Sequence, residues 1–266
     1  MARRTRTLPA RWSWVVAVLA LLVAAVVGVS GVGPDAGPGI DTGIGAETSP
    51  PAAETPPEAA SAVPPAAVPP ATGTALELLA TIPVKGRAPK TGYDRTGMFG
   101  TAWLDTDHNG CDTRNDVLAR DLSDIVTAGP CRVTSGTLVS PYTTETIAFV
   151  RGNDTSTLVQ IDHLVALSNA WQTGAQQLSQ EQRVSLANDP LNLLAVDGRS
   201  NSQKGDGDTA TWLPANTAAR CGYVARQISV KAAYALWVTQ AEADAMARVL
   251  ETCPGEPALA SGLAAK

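Results

Sequence analysis

Asp162 and His163 stand side by side at the end of a short apolar run, Leu158-Val159-Gln160-Ile161. Asn192 and then Asn201-Ser202-Gln203-Lys204 follow downstream. A run of this kind reads as a buried strand, which would deliver a carboxylate and an imidazole together. The chain holds only two histidines, so one in this setting is conspicuous. Hard oxygen donors, an imidazole and a lysine are what one-metal hydrolysis of a phosphodiester requires: ion ligands, a base for the attacking water and a cation near the phosphate.

The flanking sequence indicates the elements that must position these groups. Thr146 to Val150 and Leu158 to Asp162 read as strands, separated by the turn signal Arg151-Gly152-Asn153-Asp154. Val165 to Trp171 reads as helix, and Ser179-Gln180-Glu181-Gln182 is a capping box for another helix ending near Pro190. Leu191 to Val196 is a short strand closed by Asp197-Gly198, and a turn of helix begins near Ser200. Upstream, Leu76, Leu79 and Ala80 suggest a short helix, and glycine-rich Lys85 to Trp103 reads as loop. Val117, Leu118, Leu122 and Ile125 fit an amphipathic helix starting near Thr113. Cys221, Val224, Ile228 and Ala235 mark a long helix, and Thr239-Gln240-Ala241-Glu242 caps a last one carrying Met246, Val249, Leu250 and Cys253. The expected fold class is α+β, a strand–strand–helix unit embedded among helices.

With these pieces placed, the chain resembles HNH endonucleases of the ββα-metal fold, above all the secreted actinobacterial HNH proteins related to the nuclease domain of GmrSD-type restriction enzymes. The matching residues are Asp162-His163, Asp189-Pro190-Leu191-Asn192-Leu193-Leu194 and Asn201-x-x-Lys204-Gly205-Asp206. Val165 to Trp171 and Thr211-Trp212-Leu213-Pro214 are similar too. The resemblance implies that His163 takes the proton from the attacking water. It implies that Asp162 and Asn201 hold one Mg²⁺ or Mn²⁺, and that Asn192 orients the loop or the His163 ring. Lys204 would contact phosphate as a point charge. Two departures stand out: an insertion between His163 and Asn192 with room for two helices, and Asn201 where many relatives carry histidine. The amide oxygen there suits Mg²⁺ better than a soft metal.

Across its 266 residues the chain divides by composition. Residues 1–30 combine Arg3, Arg4, Arg6 and Arg11 with an apolar stretch from Trp12 to Val29, the pattern of a signal peptide or of an uncleaved N-terminal membrane anchor. Either places the remainder outside the cytoplasm. Residues 31–74 are rich in proline and alanine and read as a disordered, extended linker. Residues 75–255 form the expected catalytic domain, and 256–266 a flexible tail. Cys111, Cys131, Cys221 and Cys253 all fall within the domain. An even number in an exported chain suggests two disulfides, with Cys111–Cys131 and Cys221–Cys253 the favoured pairing. Zinc binding competes, but no C-x-x-C pair exists.

The formal net charge is −5, and near −9 without the four N-terminal arginines. A nonspecific nucleic-acid binder is normally basic. Nucleic acid, with DNA the leading substrate and RNA a further one, would therefore be held by the metal and a local patch drawn from Lys204, Arg199, Arg151 and Arg114. The protein is expected to be a monomer that meets a membrane only through an uncleaved N-terminal segment.

The second histidine lies in Asp105-Thr106-Asp107-His108-Asn109-Gly110, with Asp116 at position 12, which matches the oxygen spacing of an EF-hand-like Ca²⁺ loop through Asp105, Asp107, Asn109 and Asp116. Asp112 stands where such loops carry an apolar residue, and Asp116 is shorter than the usual glutamate. The competing function is a non-catalytic, calcium-stabilised binding module of the cell envelope. A hydrolase of another phosphodiester polymer is a third.

Overall fold

The computed structural model describes residues 68–264, Asp154 excepted. The expected signal or anchor segment, and the linker as far as residue 67, lie outside the described residues.

The described chain opens with β1 (Pro70–Thr74), α1 (Ala75–Leu79), α2 (Arg95–Phe99) and α3 (Thr113–Asp121). An antiparallel sheet follows, with β2 (Ser123–Ala128), β3 (Arg132–Val139) and β4 (Thr146–Val150) in that order. Next come β5 (Val159–His163), α4 (Leu167–Gln172), α5 (Gln180–Asn188), β6 (Leu193–Asp197) and α6 (Gly198–Lys204). The long helices α7 (Arg220–Ala233) and α8 (Gln240–Leu250) precede β7 (Pro257–Leu259). Ser179 and Thr239 each cap their helices through full capping boxes, as their spacing predicts.

Several boundaries differ from the expected ones, each for a physical reason. β1 pairs antiparallel with β7, and Ala75 N donates to Glu256 O at 2.9 Å. Residues 70–74 therefore belong to the folded unit rather than to the linker. The expected flexible tail is likewise built in through residue 264, since Ala258 and Leu263 are buried. The helix from Thr113 ends at Asp121, where Leu122 turns extended (φ −101°, ψ 146°) while remaining buried with Val117 and Leu118. Ile125 instead lies in β2, which turns into β3 through Gly129-Pro130, with Gly129 at φ 66°. The segment read as loop between Lys85 and Trp103 contains α2, capped by the Asp94 side chain. β4 and β5 are neighbours in sequence but belong to different sheets: β4 pairs with β3, and β5 with β6.

Three apolar clusters carry these elements. One joins α1, α7 and α8 around Ile228 and Met246, and a second joins α2, α4 and α5 around Phe99, Trp171 and Leu186. The third lies beneath α3, β3, β5 and β6. The site strands therefore have packed helices on both flanks. Both disulfides have the expected pairing: Cys111–Cys131 with Cα atoms 5.3 Å apart, and Cys221–Cys253 at 6.5 Å. Among the described residues, no helix is long and apolar enough to cross a membrane.

Candidate active site

β5 and β6 form a two-stranded antiparallel ladder in which Asp162 faces Leu194 and His163 faces Leu193. α6 starts directly at the end of β6, because Asp197 caps it by accepting from Ser200 N at 2.7 Å. At the first position of α6 a side chain is excluded, since a Cβ on Gly198 would come within 2.2 Å of Thr157 O. This close approach lays α6 against β5. Lys204 Nζ then donates to Asp162 Oδ1 at 2.9 Å and to the His163 carbonyl at 2.7 Å, while Asn201 Nδ2 donates to Gln160 Oε1 at 2.8 Å. The other Asp162 oxygen accepts from the Tyr142 hydroxyl at 2.5 Å. Burial raises the Asp162 pKa, and Lys204 and Tyr142 oppose that rise.

The His163 ring is equally enclosed. Its Nε2 lies 2.9 Å from Ala187 O, and a carbonyl can only accept, so Nε2 carries the proton. Nδ1 is then the lone-pair nitrogen, and Arg95 Nη2 lies 3.4 Å from it. Burial first, and the Arg95 charge second, hold the ring down at a pKa of about 3, so it is neutral. Trp103 stacks on the ring at 6.4 Å with planes 21° apart, and Arg114 lies over Trp103 at 6.0 Å. Asn192 is fully buried, lines neither cavity, and its side-chain hydrogen bonds go to backbone rather than to the imidazole. Its Oδ1 accepts from Val165 N at 2.8 Å, and its Nδ2 donates to Val165 O and Leu186 O, both at 3.3 Å. It thereby fastens the chain leaving β5 to the end of α5, the residue before the carbonyl that holds His163. The insertion between His163 and Asn192 contains α4 and α5, the two helices it has room for.

Asp162, His163 and Asn201 line one cavity of about 240 Å³, together with Arg95, Ser168 and Asp206. A smaller cavity, about 40 Å³, adjoins it between Arg95, Trp103 and His163. The larger cavity beside α7 and α8, about 440 Å³, has none of these groups in its wall. The Asp162, Asn201 and Asp206 side chains are hard oxygen donors facing one polar space. By donor type the set suits a hard cation such as Mg²⁺ or Mn²⁺, although Asp162 already bonds Lys204 and Tyr142, and Asp206 pairs with Lys90 at 2.9 Å.

The structure thus brings Asp162, His163, Asn201 and Lys204 together, with Asn192 one layer behind. Lys204 is turned inward, its side chain fully buried against Asp162. Arg199 is exposed on α6 and lines none of these cavities. Arg151 is committed to Val133 O and Asn115 Oδ1. Tyr142, Trp103 and Arg95 are site residues that the sequence reading missed, because each arrives from a segment without periodicity. In the Asp105–Asp116 loop, Asn109 N and Gly110 N donate to Asp105 and Asp107, and Asn109 Nδ2 donates to Asp107 and Asp116. The Asn109 oxygen is taken by Cys111 N at 2.7 Å, away from those carboxylates. Burial raises the Asp116 pKa, with Asp107 and Asp105 adding to it and the Asn109 amide opposing. Among the described residues, the one group of three acidic, thiol or imidazole ligand atoms within 4.8 Å of one another is Cys221, Cys253 and Glu256, whose sulfurs are joined in a disulfide.

This chain is 39% identical over 191 residues to an uncharacterized secreted protein of Arthroderma benhamiae, covering 71% of this chain and 89% of the relative. No solved structure matches it. The family model for the C-terminal domain of GmrSD restriction endonucleases matches residues 112–249, a span that holds β5, β6, α6 and every residue of the Asp162–Lys204 cluster. The chain therefore belongs to the family of GmrSD restriction endonuclease C-terminal domains.

Proposed function

We propose that this protein is a secreted or surface-tethered endonuclease with an HNH-type ββα-metal centre that hydrolyses phosphodiester bonds of DNA. The observation that carries this reading is the unit of β5, β6 and α6, which gathers a carboxylate, a neutral imidazole and an amide at one polar cavity. Membership of a restriction-endonuclease domain family supports the reaction class, and the secreted relative supports export.

The residues divide the work as follows. His163 offers Nδ1 to a water in the cavity, and the Ala187 carbonyl fixes the tautomer that makes this possible. As the water oxygen bonds to phosphorus, its proton passes to Nδ1, the bond to the leaving oxygen breaks, and that oxygen takes a proton from solvent. An imidazole held at about 3 is a weak base. A phosphodiester anion beside it would favour the imidazolium and lift that value. Asp162 and Asn201 would hold one Mg²⁺ or Mn²⁺, which when bound supplies charge neutralisation at the phosphate. Lys204 and Tyr142 hold the Asp162 carboxylate in place, and Asn192, bonded to Leu186 O, steadies the backbone next to the Ala187 carbonyl that accepts from His163 Nε2.

Incubation of the full-length protein with supercoiled DNA at low salt tests this reading. Nicking in Mg²⁺ that EDTA removes is the expected result. Intact supercoils under both conditions contradict it, and a panel of RNA and other phosphodiesters then separates a different substrate from a silent binding module.

A further inference from the structure

The Asp162–Lys204 cluster has no free cation. Lys204, the residue whose sequence position suggests a phosphate contact, donates to Asp162 Oδ1 and to the His163 carbonyl and is shut away from solvent. Reaching a phosphate would require Lys204 to give up both of these buried hydrogen bonds. Among the described residues, the one cationic side chain lining the cavity of Asp162, Asn201 and Asp206 is Arg95, which also lines the smaller cavity next to Trp103. Arg95 is exposed and pairs with no carboxylate among the described residues.

Its position is built rather than incidental. Arg95 opens α2 immediately after the Asp94 cap. That short helix is pinned by buried Phe99, whose ring meets Tyr93 at 6.2 Å and Trp171 at 6.4 Å. Arg183 of α5 donates to Met98 O at 2.8 Å, so the backbone of α2 is tied to the same helix whose Ala187 carbonyl orients His163. Arg95 also lies upstream of residues 112–249, the part that matches the family model.

We infer that Arg95, delivered from outside the family domain, is the cation that grips the scissile phosphate, covering His163 Nδ1 in the free protein and leaving it for a phosphate oxygen when substrate enters. The inference rests on the nuclease reading. Its chemistry follows from competition for the Nδ1 lone pair. Nδ1 has a single lone pair, so a guanidinium donating to it keeps an attacking water from being deprotonated there. An ionised phosphodiester is a stronger acceptor than a neutral imidazole and matches the fork of an arginine. Substrate binding would thus draw Arg95 onto the phosphate and expose the base in the same motion.

The test uses the full-length protein with Arg95→Ala and Arg95→Lys, each checked for an unchanged melting curve. Plasmid nicking in Mg²⁺ gives kcat and KM, and binding of duplex DNA in EDTA across a salt series gives the slope of log affinity against log salt. For Arg95→Ala, kcat should fall about 10²- to 10³-fold with a smaller change in KM, as on losing a donor to the transition state. The salt slope should shrink by about 0.9, the signature of one lost phosphate contact, and added guanidinium ion should restore part of the rate. Arg95→Lys should keep the slope and recover only part of kcat. A wild type that nicks beside an Arg95→Ala variant that nicks as fast or faster, or an unchanged slope, overturns the role of Arg95 while leaving the nuclease reading standing. A wild type that neither binds nor cuts sinks the nuclease reading, and the role of Arg95 with it.

Discussion

The buried ion pair between Lys204 and Asp162 is where residue type and residue role part company. Read as sequence, a lysine three positions after Asn201 in a phosphodiesterase motif suggests a phosphate contact. Bonded to Asp162 on β5, it neutralises a carboxylate that burial would otherwise push toward protonation. Removing one partner of such a pair leaves the other charge desolvated and costs about 3–5 kcal/mol. Lys204→Met should therefore lower the melting temperature sharply, whereas a purely phosphate-binding lysine would leave stability untouched and alter only substrate affinity. His163 adds a pH dependence whose sign is fixed by its direction of shift. Its folded value, about 3, lies below the ordinary 6.5, so between those values the unfolded chain binds the extra proton. The stability that the neutral ring contributes is present above about 6.5 and is lost as pH falls toward 3. Asp162, shifted upward, works in the opposite sense, so comparison with His163→Asn isolates the histidine. Melting curves across that window should converge for the two proteins on acidification, and parallel curves would contradict the buried neutral ring.

At the scale of elements, the site is a strand pair with a helix folded back over it, set by two tight junctions. Gly198 permits the first, and Asn192 makes the second by joining the start of α4 to the end of α5. Asn192→Ala would strand the buried Val165 N–H and free the Leu186–Ala187 backbone, costing about 1–3 kcal/mol. Nicking should slow as well, through a His163 ring that has lost its fixed carbonyl; a stable variant with full activity would contradict that role. The elements of this centre were legible in the sequence because their signals are local: the apolar run before Asp162, the Ser179 capping box, and the Asp197-Gly198 stop. What escaped was non-local. β2 and β3 pair with each other across Gly129-Pro130, where helical spacing from Val117 to Ile125 suggested one long helix. α2 spans only Arg95–Phe99 in a glycine-rich stretch, too short to show a period, so neither it nor Arg95 could be placed from spacing. Tyr142 and Trp103 likewise reach the site only through tertiary packing.

For the whole molecule, the family domain does not stand alone. Residues before 112 and after 249 close around it through β1, β7 and α2, and two disulfides staple segments on both sides of the centre. The acidic balance of the chain, −5 overall, means that a nucleic-acid substrate would be held by the site rather than by a broad basic face. The proposed chemistry rests on one imidazole, that of His163. The measurement that tests this most directly is plasmid nicking in Mg²⁺ by His163→Ala beside His108→Ala, since these are the chain's two histidines. Loss of the general base should slow His163→Ala by about 10²- to 10⁴-fold while His108→Ala nicks like wild type. Undiminished nicking by His163→Ala would contradict the account.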